Sequence, residues 1–392
     1  MPPHPEAPAP NAAERFHAVD SLRALAMFLG VVLHAALGFM RQDNPFTPRM
    51  DPARSELFDL GVFFIHSFRM QLFFLVAGFF SALLLSRRSP ADFARGRFVR
   101  IVLPLLFGAA IIVPLTNWPF LNVHGVPASP ATLLLSPAHL WFLVYLCVFS
   151  ALACAAAGIA RRAPRLTLAR VPSALGAWAD SRFALLLLAI PTTLLTLPMH
   201  SWIIDTPWGW PPQWRIVLYY GLFFLVGWGV QRRGIAATMG RAWWMLLPLA
   251  VVVLFPALLW AAATIPTIPD PQAPRDWPRF ALAAFIQSLF TWSMILGLFG
   301  LFVAASRRQR PWVRYLADSS YTVYLVHLPI IYWAQYWFAD VAIPGMSRGA
   351  LEAFIKFTIM LAGATLLSLA VYALFVRPTP LERFIGGGTR RA

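Results

Sequence analysis

Apolar residues occur along this chain in long runs that short polar stretches separate. Several runs reach the roughly 18 to 20 apolar residues that an α-helix needs to cross a bilayer. Proline interrupts the fifth run at Pro191 and Pro198, which membrane helices tolerate. We therefore predict an all-α, polytopic membrane protein. Its ten predicted spans lie at about residues 18–40, 57–85, 98–117, 138–160, 183–200, 213–231, 242–264, 279–305, 315–338 and 350–376.

Arginine is distributed unequally between the two sides of these spans. The regions that follow the second, fourth, sixth, eighth and tenth spans hold 21 arginines, and the opposite loops hold seven. Cytoplasmic loops carry the excess of positive charge in membrane proteins. The arginine-rich side is therefore predicted to be cytoplasmic, with both termini inside. We predict a disordered cytoplasmic tail over 1–14, a transmembrane domain over 15–380 and a second cytoplasmic tail over 381–392.

Composition favours a membrane protein over one that binds nucleic acid. Hydrophobic residues make up 59% of the 392 residues and charged ones 12%, whereas a soluble protein is about half apolar and a quarter charged. The net charge of +16 comes mostly from arginines in short clusters between apolar runs, so membrane topology explains it better than a DNA-binding face. The single lysine, Lys356, is predicted to extend from the tenth span to the outer interface.

Three histidines fall at a similar predicted depth in the membrane, where ionisable residues are costly and indicate function. At about 1.5 Å per helical residue, His34 lies roughly 21 Å from the inner end of the first span. His66 lies roughly 13 Å from the outer end of the second, and His327 roughly 20 Å along the ninth. Arg69 follows His66 at i+3, on the same helix face. The sequence thus predicts a site formed by His34, His66, Arg69 and His327.

A second polar group lies at the predicted cytoplasmic ends of the first and third spans. Arg23 precedes His34 by 11 residues, so both lie on one helix face about 16 Å apart. Asp20 lies at i−3 from Arg23 and can orient it. Arg97 and Arg100 open the third span in "RGRFVRIVLP". Because the guanidinium fork suits phosphate, these residues predict a phosphate-bearing ligand that extends along the first helix toward His34.

Structural roles are the alternatives to these functional interpretations. Arg23 can be an anchor at the inner interface, and Arg97 and Arg100 can serve membrane topology alone. His66 can be a packing histidine bound to a backbone carbonyl, and His139 suits an interfacial role as well as acceptor binding. The midplane histidines have no carboxylates at matching depth, so no metal site is predicted. Sequence motifs of soluble hydrolases, nucleotide-binding loops and zinc proteases do not occur.

The segment "RFHAVDSLRALAMFLGVVLHAAL" resembles the first helix of the acyltransferase 3 family of integral membrane acyltransferases. That family carries a basic residue, ten intervening residues and a histidine, which are Arg23 and His34 here. Arg97 and Arg100 match its Arg-x-x-Arg at the third helix. The segments "FIHSFRMQLFFLVAGFFSALLL", "HLWFLVYL" and "ADSSYTVYLVHLPI" are most similar to the branch that succinylates periplasmic glucans. The resemblance covers residues from about 15 to 380.

The resemblance implies an O-acyltransferase of the bacterial inner membrane. It would take succinyl-CoA or acetyl-CoA on the cytoplasmic side and acylate a hydroxyl of an extracytoplasmic glycan, such as a periplasmic glucan. His34 would be the general base, and His66, Arg69 or His327 would stabilise the oxyanion or orient the base. A covalent acyl-histidine and direct transfer both remain open. The residues that would hold the CoA phosphates are Arg23, Arg97 and Arg100, with Asp20 beside them.

A membrane transporter or exporter that uses the midplane histidines as a proton relay is the alternative function. It predicts substrate flux through proteoliposomes without any acyl-CoA. The arginines at the cytoplasmic ends favour the enzyme, because a proton relay has no need of a phosphate-binding group. The expected partners are acyl-CoA, a carbohydrate acceptor and the lipid bilayer, without nucleic acid, and the sequence does not indicate an oligomeric state.

Overall fold

The computed structural model describes residues 12–162, 170–204, 206–207, 209–233, 242–266, 275–305 and 311–385. The regular elements within these ranges are all helices, as predicted. Short helices occupy Pro130–Leu133, Arg170–Ala179 and Glu382–Ile385. Ten others correspond to the predicted spans: α1 (Ala12–Leu37), α2 (Glu56–Arg87), α3 (Pro90–Val123), α4 (Ala138–Arg162), α5 (Ala184–Thr196), α6 (Trp214–Arg233), α7 (Trp243–Thr264), α8 (Trp277–Ala305), α9 (Pro311–Phe338) and α10 (Ala350–Val376).

Seven of these helices are long and apolar enough to cross a membrane, namely α1, α2, α3, α4, α7, α8 and α10. Helices α6 and α9 have 20 and 28 residues but fall below that apolarity, and α5 has only 13 residues. The chain is therefore an all-α, multi-pass membrane protein. Ten crossings and cytoplasmic termini stay predictions. Much of the two predicted tails, residues 1–11 and 386–392, lies outside the described residues.

Helix α2 is interrupted inside the predicted site. Its first part ends at His66 and its second begins at Arg69, so the break, and not one continuous helical face, places these two side chains. The Ser67 carbonyl accepts hydrogen bonds from Gln287 Nε2 at 2.8 Å and Thr291 Oγ1 at 2.7 Å, both on α8. Since the bilayer offers no water to free backbone groups, a break survives where neighbouring helices satisfy them.

Two glycines let α2 and α6 pack backbone against backbone. A Cβ on Gly78 would lie 1.9 Å from the carbonyl oxygen of Phe224, and a Cβ on Gly227 would lie 1.9 Å from that of Leu75. No side chain fits at such a distance. Small residues allow this close approach in membranes, where association depends on van der Waals packing because lipid is as apolar as the helix surface. The contact fixes α2, which carries His66 and Arg69, in the bundle.

Two prolines in α3 leave backbone carbonyls without their usual amide donor, and side chains of α9 bind these carbonyls. Arg100 and Leu115 each precede a proline by four residues, and proline has no amide hydrogen to donate to their carbonyls. The Tyr321 hydroxyl donates to the Arg100 carbonyl at 2.9 Å, and Trp333 Nε1 donates to the Leu115 carbonyl at 2.9 Å. Both donors lie on α9. The position of α9 beside α3 is therefore fixed by specific hydrogen bonds as well as by packing.

The prediction for Lys356 is wrong, because its ammonium lies in a buried ion-pair cluster and does not extend to the interface. Its Nζ lies 2.8 Å from Asp51 Oδ2 and 3.5 Å from Glu352 Oε1, and it donates to the Ala339 carbonyl at 3.1 Å. Burial raises the pKa of Asp51, although the hydrogen bond from Lys356 acts in the opposite direction. Two nearby carboxylates and a carbonyl keep the ammonium inside the protein.

The ion-pair cluster and a set of hydrogen bonds together anchor the loop between α1 and α2, residues 38–55, on the ends of α9 and α10. The Tyr332 hydroxyl donates to the Phe46 carbonyl, and the Thr47 hydroxyl donates to Gln335 Oε1 at 2.6 Å. Gln335 Nε2 in turn donates to the His34 carbonyl at 3.4 Å. The loop is thus tied to the helix turn that presents His34.

Candidate functional site

His34 and His327 form a hydrogen-bonded pair between α1 and α9. His34 Nδ1 lies 2.8 Å from His327 Nε2, and the ring centroids are 5.1 Å apart. Three turns earlier on α1, Arg23 Nη2 donates to the Ala317 carbonyl, also on α9, at 3.4 Å. Because both side chains reach the same neighbouring helix, the predicted shared face of α1 is confirmed.

Backbone carbonyls assign the hydrogens of this pair. Nδ1 of His327 lies 2.9 Å from the Val323 carbonyl and 2.8 Å from the Tyr324 carbonyl. Carbonyls only accept, so Nδ1 of His327 carries the hydrogen and its Nε2 carries a lone pair. That lone pair must accept the hydrogen on His34 Nδ1. The hydrogen-bond network therefore assigns His34 the neutral tautomer whose Nε2 is unprotonated.

Arg69 and His66 lie beside this pair. A Cβ on Gly30 would lie 2.2 Å from Arg69 Nη1, so the guanidinium occupies space that only a glycine leaves, one turn before His34. Arg69 Nε is buried and has no hydrogen-bond partner among the described residues. His66 lies beside the backbone of Ile204, as a packing histidine would. Both His66 and Arg69 are close enough to His34 to act on it electrostatically.

A cavity of about 470 Å³ brings these groups together. Its wall includes His34, His66 and Arg69, whereas His327 is 1% exposed and lies behind His34. No acidic side chain is on this wall among the described residues, and most of it is apolar. Loops at the predicted outer side complete it with Asn44 and Phe46 after α1, Thr132 and Ser136 after α3, and Thr206 and Pro207 after α5.

His139 also lies on the cavity wall, although it was not part of the predicted site. Its Nε2 lies 3.1 Å from the Leu325 carbonyl, and its ring meets that of His327 edge to face at 5.3 Å. The Tyr324 hydroxyl donates to the His139 carbonyl at 2.7 Å. The sequence held one signal, because Pro329 removes the amide hydrogen that the Leu325 carbonyl would otherwise receive.

The predicted cytoplasmic residues form a second group. Arg23 Nη2 lies 3.3 Å from Asp20 Oδ1, the contact that their spacing predicts. Arg97 Nη2 donates to the Ser81 hydroxyl at 2.9 Å. Arg23 and Arg100 are near enough to interact electrostatically. The Nε atoms of Arg23 and Arg97 are buried without hydrogen-bond partners among the described residues, so each guanidinium keeps donor capacity for a ligand.

The structure does not connect these arginines to the histidine cavity. Arg23, Arg97 and Arg100 are absent from its described wall. Helix α9 packs along the face of α1 that bears Arg23 and His34, and both side chains contact it. Arg100 instead lines a basic depression of about 670 Å³. The other arginines of that depression are Arg87, Arg88, Arg95 and Arg161.

Comparison with known proteins assigns the chain to a family. Residues 16–373 match the acyltransferase 3 family, described as an acyltransferase domain. Curated relatives include glucans biosynthesis protein C from Escherichia coli K12 and from Escherichia coli O1:K1, each 32% identical over 157 residues. These alignments cover 36% of this chain and 39% of each relative. No solved structure matches. Because the family match spans most of its length, the chain belongs to the acyltransferase 3 family.

Proposed function

We propose that this acyltransferase moves a succinyl or acetyl group from cytoplasmic acyl-CoA to a hydroxyl of a glycan outside the bacterial inner membrane. One observation carries the proposal. His34 lies on the wall of a cavity with its Nδ1 hydrogen bound to His327 at 2.8 Å, so its Nε2 is left as a base. A hydroxyl that enters the cavity would meet a neutral imidazole suited to proton removal near neutral pH.

His327 orients His34, the proposed base, through the hydrogen bond between their rings. His34 Nε2 takes the proton of the acceptor hydroxyl while the hydroxyl oxygen attacks the thioester carbon. His34 then becomes an imidazolium. The lone pair on His327 Nε2 accepts the hydrogen on His34 Nδ1 and stabilises this charge. As the carbon–sulfur bond breaks, His34 returns the proton to the departing thiolate. His327 does not reach the cavity, so it acts as a positioning residue for His34.

Arg69 is suited to the negative charge that develops on the thioester oxygen. Its guanidinium lies on the same wall as His34, and its Nε has no partner among the described residues. Preorganised donors in an apolar, water-poor site stabilise an oxyanion strongly, because no solvent reorganisation is needed during the reaction. His66 lies on the wall as well and can add a hydrogen bond or shape the pocket.

The donor would bind through the arginine group at the cytoplasmic ends. Acyl-CoA is a polyanion, and the free Nε positions of Arg23 and Arg97 offer donors for its phosphates. Asp20 holds Arg23 in place, and Arg100 extends the positive charge into the basic depression. Since α9 packs along the face of α1 that bears Arg23 and His34, we expect donor binding to separate α1 from α9.

The acceptor would enter from the opposite side. Loops at the predicted outer ends of α1, α3 and α5 form the cavity rim with amide and hydroxyl side chains, which are the groups that bind sugar hydroxyls. The name of the relatives, glucans biosynthesis protein C, supports a glucan as the acceptor.

Acyl transfer by the purified protein tests this proposal. The protein is reconstituted in liposomes with succinyl-CoA or acetyl-CoA and a glucose oligosaccharide, and the acylated sugar is measured by mass spectrometry. His34→Gln should lower kcat by about 10²- to 10⁴-fold, the usual contribution of a general base. His124→Gln is the matched control, because His124 is exposed and its Nδ1 bonds a carbonyl of its own helix.

Two outcomes contradict the proposal. If the His34 and His124 variants are equally active, His34 is not the base. If the liposomes instead accumulate a glycan or an acyl compound without any CoA thioester, the protein is a transporter, and proton coupling through the histidines explains the site.

A further inference from the structure

His139 is held by a carbonyl that a proline has released. In α9, the Leu325 carbonyl would normally receive a hydrogen bond from residue 329, which is a proline without an amide hydrogen. His139 Nε2 takes that place at 3.1 Å. The carbonyl can only accept, so His139 Nε2 carries the hydrogen and Nδ1 carries the lone pair of the neutral ring.

That lone pair is the unusual feature. His139 is 6% exposed, and its Nδ1 is buried without a hydrogen-bond partner among the described residues. Buried polar atoms are nearly always paired, because an unpaired one loses its bond to water without replacement. The ring is not free to turn away from this state. It packs edge to face against Tyr324 and His327, each at 5.3 Å between centroids.

The backbone also holds His139 in place at a cost. The preceding residue, Ala138, has a φ of +48°, a conformation that L-residues other than glycine seldom adopt. Such strain persists only where the surroundings enforce it, and it is concentrated at functional sites. Here the Tyr324 hydroxyl pins the His139 carbonyl at 2.7 Å. The local structure therefore fixes both the position and the tautomer of the ring.

We propose that His139 Nδ1 accepts a hydrogen bond from a sugar hydroxyl of the acceptor, which makes His139 an acceptor-positioning residue. This inference rests on the proposed function. His139 lies on the cavity wall with His34, at the end of α4 that adjoins the outer loops bearing Thr132 and Ser136. A hydroxyl adjacent to the reacting one would bind His139 while the reacting hydroxyl meets His34. Amide hydrogens of the pantetheine arm are the other donors that suit a lone pair, and the test separates the two sources.

Two substitutions of His139 separate the acceptor lone pair from the structural contact. In His139→Gln the carboxamide nitrogen replaces Nε2 and keeps the bond to the Leu325 carbonyl, but nothing replaces Nδ1. In His139→Asn the carboxamide oxygen replaces Nδ1, and the contact with Leu325 is lost. The Gln variant should raise the KM for glucose oligosaccharide about tenfold, the effect of one lost hydrogen bond, and leave the KM for succinyl-CoA within twofold. The Asn variant should retain the acceptor KM and unfold at a lower temperature.

Monodeoxy glucose acceptors provide the second readout. The deoxy acceptor that lacks the hydroxyl bound by His139 should raise the wild-type KM by about the same tenfold. It should have no further effect in the Gln variant, because the deoxy acceptor and the substitution each remove the same hydrogen bond. The inference is overturned if the Gln variant raises the donor KM instead, which assigns the lone pair to the pantetheine arm. It is also overturned if kcat falls with both KM values unchanged, or if no deoxy position distinguishes the two proteins. Wild-type protein that transfers no acyl group would refute the proposed function itself.

Discussion

Replacing His327 with leucine removes the acceptor that His34 Nδ1 meets at 2.8 Å. In the proposed reaction His34 becomes an imidazolium, and a hydrogen bond to a charged group contributes about 1.5–3 kcal/mol. At about 1.4 kcal/mol for each factor of ten in rate, kcat should fall roughly 10- to 150-fold. Both KM values should change little, because His327 is 1% exposed and lies behind His34.

His327→Gln is the matched variant, because its carboxamide oxygen can occupy the position of Nε2 and accept the same hydrogen. It should recover most of the rate that leucine loses. The assay is acyl transfer by reconstituted protein, with kcat and both KM values measured. Nitrogen-15 NMR of histidine-labelled protein gives an independent readout, with the His34 signals assigned from a His34→Ala sample. An unprotonated His34 Nε2 is expected in the wild type.

Three results would refute this reasoning about His327. The leucine variant could keep kcat within twofold of the wild type. The glutamine variant could be as slow as the leucine variant while unfolding at the wild-type temperature, so that an acceptor at this position does not matter. The NMR spectrum could place the hydrogen of neutral His34 on Nε2, which would make that nitrogen a donor and not a base.

Further substitutions test the packing around the site. Gly30→Ala should lower kcat by up to about 10²-fold without unfolding the protein, because the new Cβ displaces the Arg69 guanidinium; Gly363→Ala, in open space, is its control. Gly78→Ala should destabilise the protein by about 1–3 kcal/mol in thermal or denaturant unfolding, since it forces α2 away from α6. Lys356→Met should destabilise it by about 3–5 kcal/mol by leaving two carboxylates buried without their cation, and unchanged unfolding would contradict a buried cluster.

Hydropathy and helical periodicity were enough to predict the helices and the helix face that Arg23 and His34 share. Each predicted span corresponds to a helix, and Arg23 and His34 share the face that their spacing indicates. These features are local, because they depend on the rise and turn of one helix and on the cost of polar groups in lipid. The Asp20 contact with Arg23 at 3.3 Å is of the same kind.

Errors arose where a distant part of the chain decides the outcome. The sequence did not reveal the ion pair of Lys356, because its carboxylate partner Asp51 lies about 300 residues away in sequence. Lys356 was therefore predicted to extend to the interface. The break in α2 follows from hydrogen bonds that Gln287 and Thr291 of α8 supply, so the i+3 rule did not apply to His66 and Arg69. The sequence left His139 with two equal roles, at the interface or in acceptor binding, because its partner carbonyl is in α9.

The amino-acid pattern was sufficient to predict a helical membrane protein of the acyltransferase 3 family with Arg23 and His34 on one helix face. The packed structure was needed to show that His34 meets His327 and that Gly30 makes room for Arg69. It was also needed to show that Arg23, Arg97 and Arg100 are absent from the described wall of the cavity. This difference arises from the rotation of each helix about its own axis. Periodicity tells which residues of one helix share a face, whereas the neighbour that each face meets depends on how every helix turns about its axis when the bundle packs.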